Sequence, residues 1–139
     1  MNKNGPIVII EDDLEDQQIL EAIFQRLSVQ NEVVFMGDGS AALSYLEKVH
    51  VRPFLILSDI NMPRMNGFEL RSLVFQSTEL RAKCVPYIFF TTSTSEKIIA
   101  QAYALSVQGF FIKPDSVSGL ENMIVRILGY WKDCIAPKV

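Results

Sequence analysis

Short, continuous apolar runs alternate along the chain with stretches whose apolar residues recur every three or four positions. That alternation predicts βαβ units built around one parallel sheet. Strands are expected at Ile7-Val8-Ile9-Ile10, Val33-Val34-Phe35-Met36, Phe54-Leu55-Ile56-Leu57, Tyr87-Ile88-Phe89-Phe90 and Gly109-Phe110-Phe111-Ile112. Leu20, Ile23, Phe24 and Leu27 share one face of a first helix by their i, i+3, i+4, i+7 spacing. Gly37-Asp38-Gly39-Ser40 supplies a turn and N-cap for a second, whose buried face is Ala42, Tyr45, Leu46 and Val49. A third, past Gly67, carries Leu70, Leu73 and Val74 and fades into the polar Gln76-Ser77-Thr78-Glu79 before Pro86. Ser93-Thr94-Ser95-Glu96 and Ser118-Gly119-Leu120-Glu121 have the form of capping boxes. The first precedes a helix with Ile98, Ala102 and Leu105; the second precedes one whose stripe is Leu120, Met123, Ile124, Ile127, Leu128 and Trp131. The fold class is therefore α/β: a doubly wound (βα)5 domain with a five-stranded parallel sheet.

A chain of 139 residues, 49% of them hydrophobic, matches one domain spanning residues 1–139, with no separate output domain expected. The formal charge of −3 gives no cationic footprint for nucleic acid. Cys84 and Cys134 match no metal spacing or redox motif and read as reduced thiols. No apolar run approaches the roughly 18–20 residues that span a bilayer, and no signal segment is evident, so a cytoplasmic protein is expected.

Four of the five strands run directly into polar groups. The first ends in Glu11-Asp12-Asp13, the third in Ser58-Asp59, the fourth in Thr91-Thr92 and the fifth in Lys113-Pro114. In a parallel sheet these endings gather at the carboxyl edge, where ligands bind in open α/β folds. Clustered carboxylates repel one another unless one is protonated or a cation is bound. Mg²⁺, a hard cation that prefers oxygen and keeps waters for an incoming phosphate, suits Glu11, Asp12 and Asp59, with the main-chain carbonyl of Asn61 as a further ligand. Asp13 is a reserve ligand, and a plainly solvated acidic cluster is the alternative for Glu11-Asp12-Asp13 taken alone. A carboxylate can also attack phosphorus to give an aspartyl phosphate, which makes Asp59 the candidate nucleophile. Such a transfer needs mainly positioning and charge neutralisation, which Mg²⁺, the Lys113 ammonium and the Thr91 hydroxyl can supply.

These residues resemble the receiver domain of bacterial two-component response regulators, from Ile7 to about Trp131. The resemblance rests on Glu11-Asp12 after an apolar strand, Ser58-Asp59-Ile60-Asn61-Met62-Pro63 with Gly67 following, Pro86 through Thr91, and Phe110-Phe111-Ile112-Lys113-Pro114. It implies a flavodoxin-like receiver fold and transfer of a phosphoryl group from the phosphohistidine of a sensor histidine kinase, or from a histidine phosphotransfer protein, to Asp59. It also implies Asp12 and Asp59 as direct Mg²⁺ ligands, Glu11 as a ligand mainly through water, and a Lys113-Pro114 bond that is often cis. The family switch would draw Thr91 toward the phosphoryl group and turn Phe110 inward. Thr92 stands where alanine is frequent, beside the phosphoryl group, where its bulk would restrict an attacking water and slow dephosphorylation. Asp115 stands where an apolar residue is common. Phe90-Thr91-Thr92-Ser93 and the closing Tyr130-Trp131 are similar to small single-domain regulators that partner phytochromes. Some of these dimerise through the face of the fourth helix, fifth strand and fifth helix, for which Ile127, Leu128, Tyr130 and Trp131 are the apolar candidates.

Three other readings are weaker. A receiver-shaped interaction protein that is never phosphorylated has the intact set Asp12, Asp59, Thr91 and Lys113 against it. A phosphohydrolase of the haloacid dehalogenase type wants an acid two residues after its nucleophile, and Asn61 stands there instead. Slow hydrolysis of its own acyl phosphate is thus the one reaction expected beyond acceptance. A flavodoxin-like cofactor binder would want a glycine-rich phosphate loop after the first strand, where acids stand.

Overall fold

The protein is described by a computed structural model covering residues 1–92 and 95–138. Five strands, β1 (Ile7–Ile10), β2 (Val33–Met36), β3 (Leu55–Ser58), β4 (Tyr87–Thr91) and β5 (Gly109–Ile112), form one parallel sheet in the order β2-β1-β3-β4-β5. Around it lie α1 (Leu14–Arg26), α2 (Gly39–Leu46), α3 (Gly67–Gln76), α4 (Thr78–Lys83), α5 (Glu96–Ala104) and α6 (Val117–Asp133).

The continuous apolar runs are explained by a sheet covered on both faces. Side chains alternate along a strand, so Ile7 and Ile9 point into one core with Leu20, Ile23, Phe24, Met123, Ile124, Ile127 and Leu128, while Val8 and Ile10 point into the other. The second core takes Ala42 and Leu46 of α2, Leu70 and Val74 of α3, Leu80 of α4 and Ala102 of α5. Helices α1 and α6 thus cover one face and α2 to α5 the other.

Several local expectations are corrected. The third helix does not simply fade out in the polar stretch: Ser77 breaks it in extended conformation and caps a further short helix, α4, by accepting from the Leu80 amide at 3.2 Å. The fourth and fifth helices of the sequence reading are therefore α5 and α6. Helix α2 stops at Leu46, which leaves Val49 79% exposed, and Leu73 is also largely exposed. Helix α6 is capped by Ser116, whose Oγ accepts from the Gly119 amide at 3.0 Å, two residues before the expected Ser118; Glu121 instead pairs with Arg26 at 2.8 Å. Ser93 and Thr94 of the other capping box lie outside the described residues, and α5 has Ser95 at its N-cap. Among the described residues the cis X-Pro bond is Val85-Pro86, and Lys113-Pro114 is trans. Ile127 and Leu128 are core residues and unavailable to a partner, while Tyr130 stays exposed. No helix among the described residues is long and apolar enough to cross a membrane.

Candidate phosphoacceptor site

The strand order reverses direction between β1 and β3, and the crevice outside the carboxyl ends of the strands at such a switch point is where doubly wound folds bind ligands. Register does the positioning. Ile10 pairs with Ser58, and the Asp59 amide donates to the Ile10 carbonyl at 2.9 Å, so the residues that follow, Glu11 and Asp59, emerge side by side. On the other side Thr91 pairs with Ile112, and the Lys113 amide donates to the Thr91 carbonyl at 2.8 Å.

Glu11, Asp12 and Asp59 each offer an oxygen within 4.8 Å of the others. Glu11 and Asp59 are buried, Asp12 is exposed. Asp13 is drawn off to other work, capping α1 by accepting from the Asp16 amide at 3.1 Å. The Lys113 ammonium reaches into the group, donating to Glu11 Oε1, to Asp59 Oδ2 at 3.0 Å and to Asp16 Oδ2 at 3.2 Å, and it rests 5.0 Å from the Phe90 ring centre. Asp59 Oδ1 accepts from the Ile60 amide at 2.7 Å.

Electrostatics follow from this crowding. Burial pushes the Glu11 carboxyl up to about 8, against the pull of the Lys113 ammonium and with the Asp59 carboxylate adding to the rise. Burial works to lower the Lys113 pKa, but its hydrogen bond to Glu11 and the charge of Asp59 outweigh this and raise it above the usual lysine value. One ammonium does not neutralise the carboxylates around it, and Glu11 Oε2 is buried with no hydrogen-bond partner among the described residues. A hard cation would satisfy both deficits, so the donor set fits Mg²⁺.

The loop after β3 is held rigidly. The Gly67 amide donates to the Ile60 carbonyl at 2.7 Å, and a Cβ on Gly67 would sit 2.2 Å from the Asp59 carbonyl oxygen, so only glycine fits. Arg64, with a left-handed φ of 64°, pairs with Asp38 at 2.6 Å and ties this loop to the N-terminus of α2. Thr91 is fully buried at the end of β4; Thr92, next to it, is exposed. Phe110 is half-buried in an edge-to-face contact with Phe89, ring centres 6.3 Å apart. Asn61 is exposed two residues past Asp59. Sequence reasoning missed Asp16, whose tie to the pocket is the Lys113 ammonium from beyond β5, a contact that local spacing does not signal.

Comparison with known proteins agrees with this geometry. The family model described as the response regulator receiver domain matches residues 7–125. The chain is 32% identical over 130 residues to a probable methanogenesis regulatory protein, FilR2, of Methanothrix harundinacea, covering 90% of this chain and 82% of that protein. It is 27% identical over 134 residues to the response regulator Rcp1 of Synechocystis, covering 93% and 90%. Among solved structures, the phosphorylated cyanobacterial phytochrome response regulator RcpA superposes with a TM-score of 0.88 at 27% identity over 97% of this chain and 99% of that one. The Mn²⁺-bound form of Rcp1 superposes at 0.84 and 26% identity, covering 96% and 99%. A doubly wound sheet with an acidic, lysine-bridged pocket at its switch point, matched by this family over most of its length, is a receiver: the chain belongs to the response regulator receiver domain family of two-component systems.

Proposed function

We propose that the chain is a phosphoacceptor: Asp59 takes a phosphoryl group from the phosphohistidine of a sensor histidine kinase, phytochrome-like or otherwise, or of a histidine phosphotransfer protein, and the new state is passed on by protein contact. The observation that carries this reading is the Lys113 ammonium bonded to both Glu11 and Asp59, in a pocket where a buried Glu11 oxygen has no hydrogen-bond partner among the described residues. Residues 1–139 act as one receiver unit, working in the cytoplasm, where such kinases present their phosphohistidine.

An Asp59 carboxylate oxygen attacks phosphorus, the bond from phosphorus to the imidazole nitrogen breaks, and the leaving imidazole keeps the electron pair. Glu11, Asp12 and Asp59, with the Asn61 carbonyl, would hold Mg²⁺, which supplies neutralisation of the charge on the transferred group. Lys113, already at 3.0 Å from Asp59, turns its donors to a phosphoryl oxygen, and Thr91 donates its hydroxyl to another. Thr92 flanks the phosphoryl group and limits the approach of water, so Asp59 loses its phosphoryl group slowly by hydrolysis. Phe110 is the companion of Thr91 in the switch. The output face is α5, β5 and α6, whose exposed apolar residues include Tyr103, Ile112, Val125 and Tyr130, which a second copy of the chain would cover in a homodimer.

The test is intact mass after incubation with acetyl phosphate and Mg²⁺, alongside the Asp59→Asn variant and an EDTA control. A gain of one phosphoryl group, absent from both controls, is expected. No gain under conditions that label another receiver would overturn the reading.

A further inference from the structure

We propose that Asp16 is a positioning residue for phosphoryl transfer, anchoring the Lys113 ammonium from the α1 side so that it stays at the pocket once Glu11 and Asp59 turn to a divalent cation. This role rests on the phosphoacceptor reading of Asp59.

An ammonium has three donors and no acceptor. In this structure they face three carboxylates: Glu11, Asp59 at 3.0 Å and Asp16 at 3.2 Å. Two of these, Glu11 and Asp59, belong with Asp12 to the group that can close on a metal ion; Asp16 does not. A cation bound there takes up the charge of Glu11 and Asp59 and repels the ammonium beside it. Of the three, Asp16 is then the carboxylate that still balances Lys113. Its place is suited to that: it sits in the first turn of α1, its backbone amide fixed by the Asp13 cap, while its side chain is 42% exposed and Lys113 only 12%. The anchor thus stands on the rim and the ammonium inside. With Asn at position 16 the ammonium loses this counter-charge, and entry of the cation drives it outward, away from the line between Asp59 and the incoming phosphorus.

The experiment compares wild type, Asp16→Asn and Asp16→Glu in two readouts. In the cation-free protein labelled with ¹⁵N-lysine, the Lys113 ammonium is expected to give a slowly exchanging resonance that broadens in Asp16→Asn, which a generally structural residue on an exposed helix turn would not cause. At saturating Mg²⁺, fixed separately for each variant by calorimetric titration, labelling of Asp59 by acetyl phosphate is expected to slow about fivefold in Asp16→Asn, the scale of a partly exposed ion pair, and to recover most of that in Asp16→Glu. A rate within about twofold of wild type overturns the Asp16 role, whatever the resonance does. If the wild-type chain itself takes no phosphoryl group, the phosphoacceptor reading fails, and this role with it.

Discussion

Arg71 is the largest fully buried side chain of the protein, and its removal gives a stability change that can be worked out from its contacts. It lies on α3, where Nε donates to the Leu105 carbonyl at 2.9 Å and a terminal nitrogen to the Ser106 carbonyl at 3.0 Å, and its guanidinium stacks 5.0 Å from the Tyr87 ring centre. It therefore ties α3 to the turn between α5 and β5, where Ser106 holds a left-handed φ of 58°. Arg71→Met keeps most of the aliphatic packing and removes the donors. The Leu105 carbonyl, losing its Arg71 donor, costs about 1.5–2 kcal/mol, and the Ser106 carbonyl, which keeps the Gln108 Nε2 donor at 2.9 Å, about 0.5–1 kcal/mol. Loss of the ring contact adds about 1 kcal/mol. Against this stands the relief of a desolvated charge: burial pushes the Arg71 pKa down, and Nη1 has no hydrogen-bond partner among the described residues, so about 1–2 kcal/mol is recovered. The net is about 2 kcal/mol of destabilisation, or a urea midpoint lowered by about 1 M for a domain of this size. The assay is urea unfolding followed by the fluorescence of Trp131, the single tryptophan, which packs on the opposite face of the sheet and so reports global unfolding. A midpoint for Arg71→Met within about 0.2 M of wild type would refute the claim that these two bonds hold the turn.

Gly67→Ala places a Cβ 2.2 Å from the Asp59 carbonyl and 2.8 Å from the Ile60 Cα, neither of which can yield cheaply; a loss of about 3 kcal/mol is expected by the same unfolding assay, with slower labelling of Asp59, and an unchanged variant would contradict the close approach. Mg²⁺ competes with the proton on Glu11, whose carboxyl is pushed up to about 8, so apparent Mg²⁺ affinity by calorimetry rises with pH toward that value and then levels; a flat profile, or the same rise in Glu11→Gln, would count against it. The Ala41 amide, and then Arg64, hold the Asp38 carboxyl below its ordinary 3.8, so its charge contributes stability above that value and loses it as the pH falls through the depressed one. Asn at position 38 can still cap α2, so the stability gap between wild type and Asp38→Asn should be widest near neutrality and close in acid; a gap independent of pH would show that charge plays no part.

The sheet and both cores were legible because each strand is an apolar run and each helix face keeps its period, from Leu20 to Leu128. The acids at the ends of β1 and β3 were legible for the same reason, since parallel register carries Glu11 and Asp59 to one edge. What escaped depended on contacts between distant segments or on local competition. Nothing in the spacing of α3 says that Arg71 turns inward, because its partners are carbonyls 34 and 35 residues away. Ser116 and Ser118 both carry a hydroxyl where α6 begins, and the cap fell to Ser116, whose oxygen reaches the Gly119 amide. Val49 fits the period of α2, but the helix ends at Leu46 and periodicity does not show where a helix stops. Asp16 looked like an ordinary first-turn acid, and only the reach of Lys113 across from β5 gives it a second task.

The most direct test of the central claim is to locate the acyl phosphate. After labelling with acetyl phosphate and Mg²⁺, borohydride reduction converts a phosphorylated aspartate to homoserine, and peptide mass spectrometry reads its position. The account predicts homoserine at position 59 and at none of 12, 13, 16 or 38. Homoserine at any of those four, or its absence from position 59, would contradict it.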